Sequence, residues 1–116
     1  MSDSLSDLGQ QLDRFASERD WQQFHSPKNL ASALIVETGE LLEHFQWMTE
    51  EQSRSLTPEK TEAIAAEIAD VLLYLVQLAN ALGVDPVAAA QSKLKLNEQR
   101  YPIDRARGTS SKYNEI

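Results

Sequence analysis

The chain repeats one acidic spacing, first as Glu37-Thr-Gly-Glu40-Leu-Leu and again as Glu67-Ile-Ala-Asp70-Val-Leu-Leu-Tyr74. A helix advances about 100° per residue, so the two acids of each pair lie about 60° apart on one face. On the other side of the first acid, each stretch has an apolar stripe, which comprises Leu30, Leu34, Leu41 and Phe45 in the first and Ile64, Ile68, Val71, Leu75, Leu78 and Leu82 in the second. If the stripes pack together, all four carboxylates meet along one margin of the contact.

The acid pairs have two interpretations. An acid pair at this spacing usually marks a solvated helix face. Here the acids border the apolar stripes, where burial and crowding of negative charge are unfavourable without a counter-ion. Spacing alone therefore leaves a shared metal site and a solvated face both open. A site made only of carboxylates would suit magnesium, with manganese as the alternative, because these ions also accept water and phosphate oxygens as ligands.

Composition excludes several other kinds of chemistry. The sequence has no cysteine, which rules out disulfides, thiolate metal sites and a cysteine nucleophile. A ferritin-like di-iron site needs Glu-x-x-His twice, and neither His25 nor His44 completes that spacing. No glycine-rich phosphate loop or nucleophile triad is recognisable. The net charge of −7 disfavours binding to a nucleic-acid polymer, but a free nucleotide could still bind through a carboxylate-held metal.

Apolar periodicity predicts an all-α fold that resembles a four-helix bundle, because no alternating strand pattern of useful length occurs. Thr57 and Asp85, each followed by proline, are typical N-caps, and Gly83 is typical of a helix C-terminus. The predicted helices cover roughly residues 3–19, 27–47, 58–82 and 86–101. We assign residues 1–102 to one domain and residues 103–116 to a polar C-terminal tail.

The length and the apolar content of the chain indicate its oligomeric state and its location in the cell. A chain of 116 residues buries a limited core, which favours association into an oligomer. The N-terminal residues do not show a basic segment followed by an apolar one, and no stretch approaches the apolar length of a membrane span. We therefore expect a cytoplasmic protein that does not interact with membranes.

Aromatic residues cluster around the acidic pairs. Trp47 lies on the same side of the second helix as the first acid pair, and two interpretations stay open for it, a core position and the wall of a pocket. Trp21 and His25 occur in the loop before that helix, which favours an aromatic pocket able to stack a base. Tyr74 adds a hydroxyl group to the face that carries the second acid pair.

A polar, basic stripe follows the fourth predicted helix. Lys93, Asn97 and Tyr101 recur there every four residues and so share one face. A solvated face and a grip on phosphate groups both fit this spacing, and neither is excluded by the sequence.

The acidic motifs Glu37-Thr-Gly-Glu40 and Glu67-Ile-Ala-Asp70 resemble the signature of the MazG-like all-α nucleoside triphosphate pyrophosphohydrolases. Further segments are similar to the dCTP pyrophosphatase branch of that superfamily, and the similarity extends from about residue 8 to residue 115. These segments are Glu18-Arg-Asp-Trp21-Gln-Gln-Phe24-His25-Ser-Pro27-Lys-Asn29-Leu30, Phe45-Gln46-Trp47, Ser92-Lys93 with Asn97, Arg100-Tyr101-Pro102 and Lys112-Tyr113.

The resemblance implies a hydrolase that converts dCTP, or a 5-modified dCTP, to the monophosphate and pyrophosphate for control or sanitation of the nucleotide pool. It implies a homotetramer whose sites are shared between subunits. The residues implied as magnesium ligands and catalytic groups are Glu37, Glu40, Glu67 and Asp70. Those implied in substrate binding are Lys93, Asn97 and Tyr101 toward the phosphates and Trp21, His25, Trp47 and Tyr74 toward the base and sugar.

The sequence departs from the vertebrate members at Leu12, where a histidine that approaches the base is expected. Leucine can neither donate nor accept a hydrogen bond, so base selectivity is open to a second interpretation, a pyrophosphatase that acts on several dNTPs or damaged nucleotides. A third interpretation, from another functional class, is a non-catalytic helical oligomerisation module with solvated acids.

Overall fold

The computed structural model describes residues 4–116, and every regular element in that range is helical, which confirms the predicted all-α class. Six α-helices follow one another in the described range, with 3₁₀ turns at Gln22–Phe24 and Tyr113–Glu115. The helices are α1 (Leu5–Glu18), α2 (Pro27–Glu43), α3 (Glu50–Ser53), α4 (Pro58–Leu82), α5 (Pro86–Arg100) and α6 (Ile103–Ala106).

The helix boundaries marked by capping residues lie where the sequence predicts them. The Thr57 hydroxyl accepts a hydrogen bond of 3.1 Å from the backbone N–H of Lys60 and so caps α4. The Asp85 carboxylate accepts one of 3.0 Å from the backbone N–H of Val87 at the start of α5. Gly83 ends α4 with a φ of 67°, a left-handed conformation that glycine adopts without the steric cost of a Cβ.

Two local predictions are corrected by the structure. α2 ends at Glu43, whereas periodicity predicts a helix as far as Trp47. Beyond Glu43 the chain tightens into turns, as in the 2.8 Å bond from the Phe45 N–H to the Leu42 carbonyl. The segment after it, expected to be a plain connection, contains α3. That helix forms because the side chains of Thr49 and Gln52 make a reciprocal capping box.

The core lies where α4 packs against α1 and α2, and all three helices contribute buried residues. The buried core residues are Leu12 and Ala16 of α1, Leu30 of α2, and Ile64, Val76 and Ala79 of α4. No polar residue within 4–116 is buried together with them. The predicted apolar stripes coincide with this core only in part. Leu30 and Ile64 are buried as expected, but Ile68, Leu75 and Leu82 are exposed, and α4 buries Val76 and Ala79 instead.

α4 is the longest helix of the described chain at 25 residues, and it carries Glu67 and Asp70 near its middle. Between residues 4 and 116, no single helix is both long enough and apolar enough to cross a bilayer. α4 and α5 meet such a test of length and composition only when the two are taken together.

The chain divides into two compact units, of which the first extends to Val84 and the second covers Asp85–Ile116. This division does not coincide with the predicted boundary after residue 102, which stays a prediction. Within the second unit, the Tyr113 ring lies edge-on to that of Tyr101 at 6.1 Å, and the Arg100 guanidinium lies 4.5 Å from its centre. The predicted tail is therefore folded onto the end of α5.

Candidate metal centre and adjoining cavity

Three acidic side chains meet where α2 and α4 pack. Glu37 of α2 and Glu67 and Asp70 of α4 each offer one carboxylate oxygen, and these oxygens lie within 4.8 Å of one another. Oxygens bound to one magnesium ion at about 2.1 Å would lie roughly 3–4 Å apart. Small side-chain movements would therefore bring the three carboxylates onto a single hard cation. We call these three residues the acid cluster.

The acid cluster contains carboxylate oxygens that lack partners. Oε2 of Glu37 and Oε2 of Glu67 are both covered from solvent, and neither accepts a hydrogen bond within the described range. Buried polar atoms are normally hydrogen-bonded, because an unpaired one loses its hydration without compensation. Two uncompensated anionic oxygens in one cluster are what a cation ligand set requires, so the donor set fits magnesium or manganese.

The electrostatic environment of Glu37 also favours a bound cation. The pKa of the Glu37 carboxyl is raised above its ordinary value of 4.5, first by a hydrogen bond with the Glu40 side chain and second by burial. The negative charges of Glu40, Asp70 and Glu67 raise it further. Glu40 lies outside the set of mutually close oxygens, although its side chain interacts with that of Glu37. Without a cation the ionised form of Glu37 is therefore unfavourable.

A histidine that sequence analysis gave no role lies beside the acid cluster. Nε2 of His44 is 3.9 Å from Oε1 of Glu67. The covered oxygen without a partner is the other one of this carboxylate, Oε2. The spacing of His44 in the sequence could have indicated this position. His44 follows Glu37 by two helical turns and so shares its face, even though α2 ends one residue earlier.

A cavity of about 430 Å³ adjoins the acid cluster. Asp70 belongs both to the cluster and to the cavity wall, so the two sites are continuous. The walls are mainly apolar, and they comprise Leu8, Gln11, Leu12 and Phe15 of α1, Trp21 and His25 of the following segment, and Asp70, Leu73, Tyr74 and Gln77 of α4. An apolar cavity with a few polar groups and a charged end suits a ligand that has an aromatic part and an anionic part.

The aromatic wall of this cavity is held by ring contacts. The Trp21 ring packs edge-on against Phe15, with ring centres 5.6 Å apart, and against His25 at 6.4 Å. The amide nitrogen of Asn29 donates a 2.9 Å hydrogen bond to the Phe24 carbonyl, which ties the loop to the start of α2. The loop thus presents Trp21 and His25 to the cavity on a supported backbone.

The structure brings together some of the predicted substrate-binding residues. Trp21, His25 and Tyr74 all line the cavity. Trp47 lies beyond the end of α2, does not line the cavity and is 88% exposed. A role for Trp47 in the base pocket stays a prediction.

The remaining predicted phosphate-binding residues all lie in the second compact unit. Lys93 and Asn97 lie on α5, and Tyr101 follows directly after that helix. Lys93 is exposed, whereas Asn97 and Tyr101 are partly buried. Their assignment to the phosphates also stays a prediction.

Known proteins share both the sequence and the fold. The chain is 44% identical over 115 residues to the "dCTP pyrophosphatase 1" of Mus musculus and, over the same length, to that of Homo sapiens. Each alignment covers 97% of this chain and 68% of the relative. A crystal structure of a pyrophosphatase from Archaeoglobus fulgidus superposes with a TM-score of 0.81 at 34% identity, and covers 88% of this chain and 95% of its own.

The family assignment follows from these similarities and from the position of the acid cluster. The model of the MazG-like family matches residues 33–116, a range that contains most of α2, all of α4 and all three acids of the cluster. The resemblance seen in the acidic motifs is thereby confirmed. The chain belongs to the MazG-like family.

Proposed function

We propose that this protein is a dCTP pyrophosphatase, which hydrolyses dCTP to dCMP and pyrophosphate. The observation that supports it most directly is the double position of Asp70, in the acid cluster and in the wall of the cavity. One nucleotide could then place its triphosphate at the cluster and its base between the aromatic walls. The curated relatives named dCTP pyrophosphatase 1 support the same substrate.

The reaction needs water to attack the α-phosphorus, which breaks its bond to the oxygen that bridges to the β-phosphate and releases dCMP and pyrophosphate. We assign the cation to magnesium, with manganese as the alternative. Glu37, Glu67 and Asp70 would hold it, because their oxygens converge and two of them are buried without partners. When bound, the cation supplies positive charge to the triphosphate oxygens and to the pyrophosphate leaving group.

Glu40 is the carboxylate that we assign to the attacking water. It lies one turn from Glu37 on α2 and interacts with the Glu37 side chain, yet it does not belong to the converging set. A carboxylate in this position can accept the proton of a water molecule next to the cluster, or complete the ligand set. The apolar cavity excludes competing water from the base end.

Association of subunits belongs to the same proposal. Large apolar side chains of α2 and the turns after it are exposed, with Ile35 at 68%, Leu42 at 63% and Trp47 at 88%. Ile35 and Leu42 are two turns apart and share one helix face. Such a face beside a small core is typical of a chain that buries more surface by association. We propose a homotetramer with sites shared between subunits, located in the cytoplasm, that binds nucleotides but no nucleic-acid polymer.

Replacing one acid of the cluster should abolish hydrolysis. Glu37→Gln and Asp70→Asn each remove a negative charge from the ligand set with little change of shape, so we expect kcat for dCTP to fall by about 10²-fold or more. The measurement is release of pyrophosphate at saturating magnesium. Glu43→Gln is the matched control, because Glu43 is exposed on the same helix. Equal activity of Glu37→Gln and Glu43→Gln would contradict the assignment.

The raised pKa of Glu37 predicts the pH dependence of the metal-free protein. A carboxyl group with a higher pKa in the folded state stabilises the fold below its unfolded pKa of about 4.5, and this contribution is lost as pH rises through the folded pKa. In chelator, Glu37→Gln should therefore raise the melting temperature relative to wild type more at pH 7.5 than at pH 4.5. Magnesium should raise the melting temperature of the wild type at pH 7.5.

The control for that experiment is again Glu43→Gln, which should follow the wild type at both pH values. A Glu37→Gln variant whose melting temperature in chelator differs from the wild type by the same amount at pH 4.5 and pH 7.5 would show that the Glu37 carboxyl is not held under repulsion.

Charges on the exposed face of α2 should prevent association. We expect light scattering to give the wild type a mass of four 13.0 kDa chains. The double substitution Ile35→Asp and Leu42→Asp should reduce that mass, because an interface does not accept two unpaired charges. Circular dichroism checks that the variant keeps its helices. An unchanged mass for a folded variant would exclude this face from the interface.

A further inference from the structure

Gln77 is a polar residue of the cavity whose amide group has no partner. It lies on α4 two helical turns beyond Asp70 and therefore on the same face. Its Oε1 atom is covered from solvent and accepts no hydrogen bond within residues 4–116. A covered and unpaired carbonyl oxygen is energetically unfavourable, so the side chain gains when a ligand supplies a donor.

The other polar groups of the cavity wall include the Asp70 carboxylate of the acid cluster, the His25 ring, which packs against Trp21, and the Tyr74 hydroxyl. Gln11 is the other amide of the wall, and it is exposed, so water satisfies its hydrogen-bonding groups. Gln77 differs from these groups because it lines the cavity and carries a covered carbonyl oxygen that has no partner.

Gln77 also has room to turn. It borders a second cavity, of about 230 Å³, and Leu12 and His25 line both cavities. No hydrogen bond of the described chain fixes the Gln77 amide, and open space lies on more than one side of it. Rotation of the side chain can therefore bring its amide to a ligand in the larger cavity without breaking an existing contact of that amide.

An amide group presents one acceptor and one donor side by side. Cytosine presents the complementary pair on one edge, an amino group that donates and a ring nitrogen that accepts. Thymine presents the reverse order, and the same amide pairs with it after a half-turn about its terminal bond. Leu12 and Phe15 can contact only the faces and apolar edges of a base in this cavity.

We propose that Gln77 is a base-binding residue that pairs with the hydrogen-bonding edge of the pyrimidine, by accepting from the amino group of cytosine and donating to its ring nitrogen. The base then gains two hydrogen bonds in the cavity although Leu12 offers no polar atom. This inference rests on the proposed function, because it presumes that the base occupies the cavity.

The test compares KM and kcat for dCTP in wild type and Gln77→Leu at saturating magnesium. Gln77→Leu should raise KM by about 10–100-fold and leave kcat within about threefold, because the amide binds the base and not the reacting phosphate. Gln10→Leu is the matched control, because Gln10 is exposed on α1 and lines neither cavity, and its KM should change by less than about threefold. Gln77→Met provides a second apolar variant of similar length and should repeat the rise in KM.

The outcomes distinguish a failure of the proposed function from a failure of the inference on Gln77. A wild type that hydrolyses no nucleotide overturns the proposed function and, with it, the role of Gln77. A folded Gln77→Leu variant that keeps the wild-type KM for dCTP, beside an active wild type, overturns the inference alone. So does a variant that loses kcat while KM is unchanged, since that result would indicate a structural role.

Discussion

Repulsion among the carboxylates at the contact of α2 and α4 is the constraint on which the rest of the site depends. α2 and α4 pack together, and this packing brings one carboxylate oxygen each of Glu37, Glu67 and Asp70 to within 4.8 Å of one another. Burial of Leu30 and Ile64 stabilises that arrangement. The hydrogen bond with Glu40, burial and the neighbouring negative charges raise the pKa of Glu37, so its ionised form is unfavourable there. A bound cation would offset the cost and turn a destabilising cluster into a binding site.

α4 connects this charged centre to the cavity. Asp70, Tyr74 and Gln77 follow one another along a single face of the helix, since they are spaced by one turn and then by nearly another. The face thus passes from a carboxylate of the acid cluster to a hydroxyl and then to an amide. A nucleotide has the same order of chemistry, from phosphates through sugar to base. One rigid helix can therefore fix the distance between the metal centre and the base.

Local signals in the sequence were sufficient for much of this architecture. The caps at Thr57 and Asp85 and the left-handed Gly83 depend on neighbouring atoms alone, so their residue types predict them. The end of α2 was not predictable in this way, because the apolar period continues past Glu43 while the backbone changes there to turns. Trp47, expected near the first acids, lies beyond this end and is almost fully exposed.

The candidate site, like the fold, could be predicted from the sequence only in part. Helical register predicted that four acids would meet where α2 and α4 pack, and three of them, Glu37, Glu67 and Asp70, do converge there. Gln77 could not be singled out from spacing, since an amide at the edge of an apolar stripe is usually hydrated, and only the folded structure shows that its carbonyl oxygen is covered. The division of the chain after Val84 depends on contacts distant in sequence, which periodicity does not report.

The most direct test of a shared cation is a manganese titration of the nucleotide-free protein, followed by electron paramagnetic resonance of the free ion. We predict that the wild type removes manganese from solution, that Glu67→Gln weakens this binding by about 10-fold or more, and that Glu43→Gln does not. Equal binding by wild type and Glu67→Gln would show that the carboxylates between α2 and α4 do not share a cation, and would contradict the account.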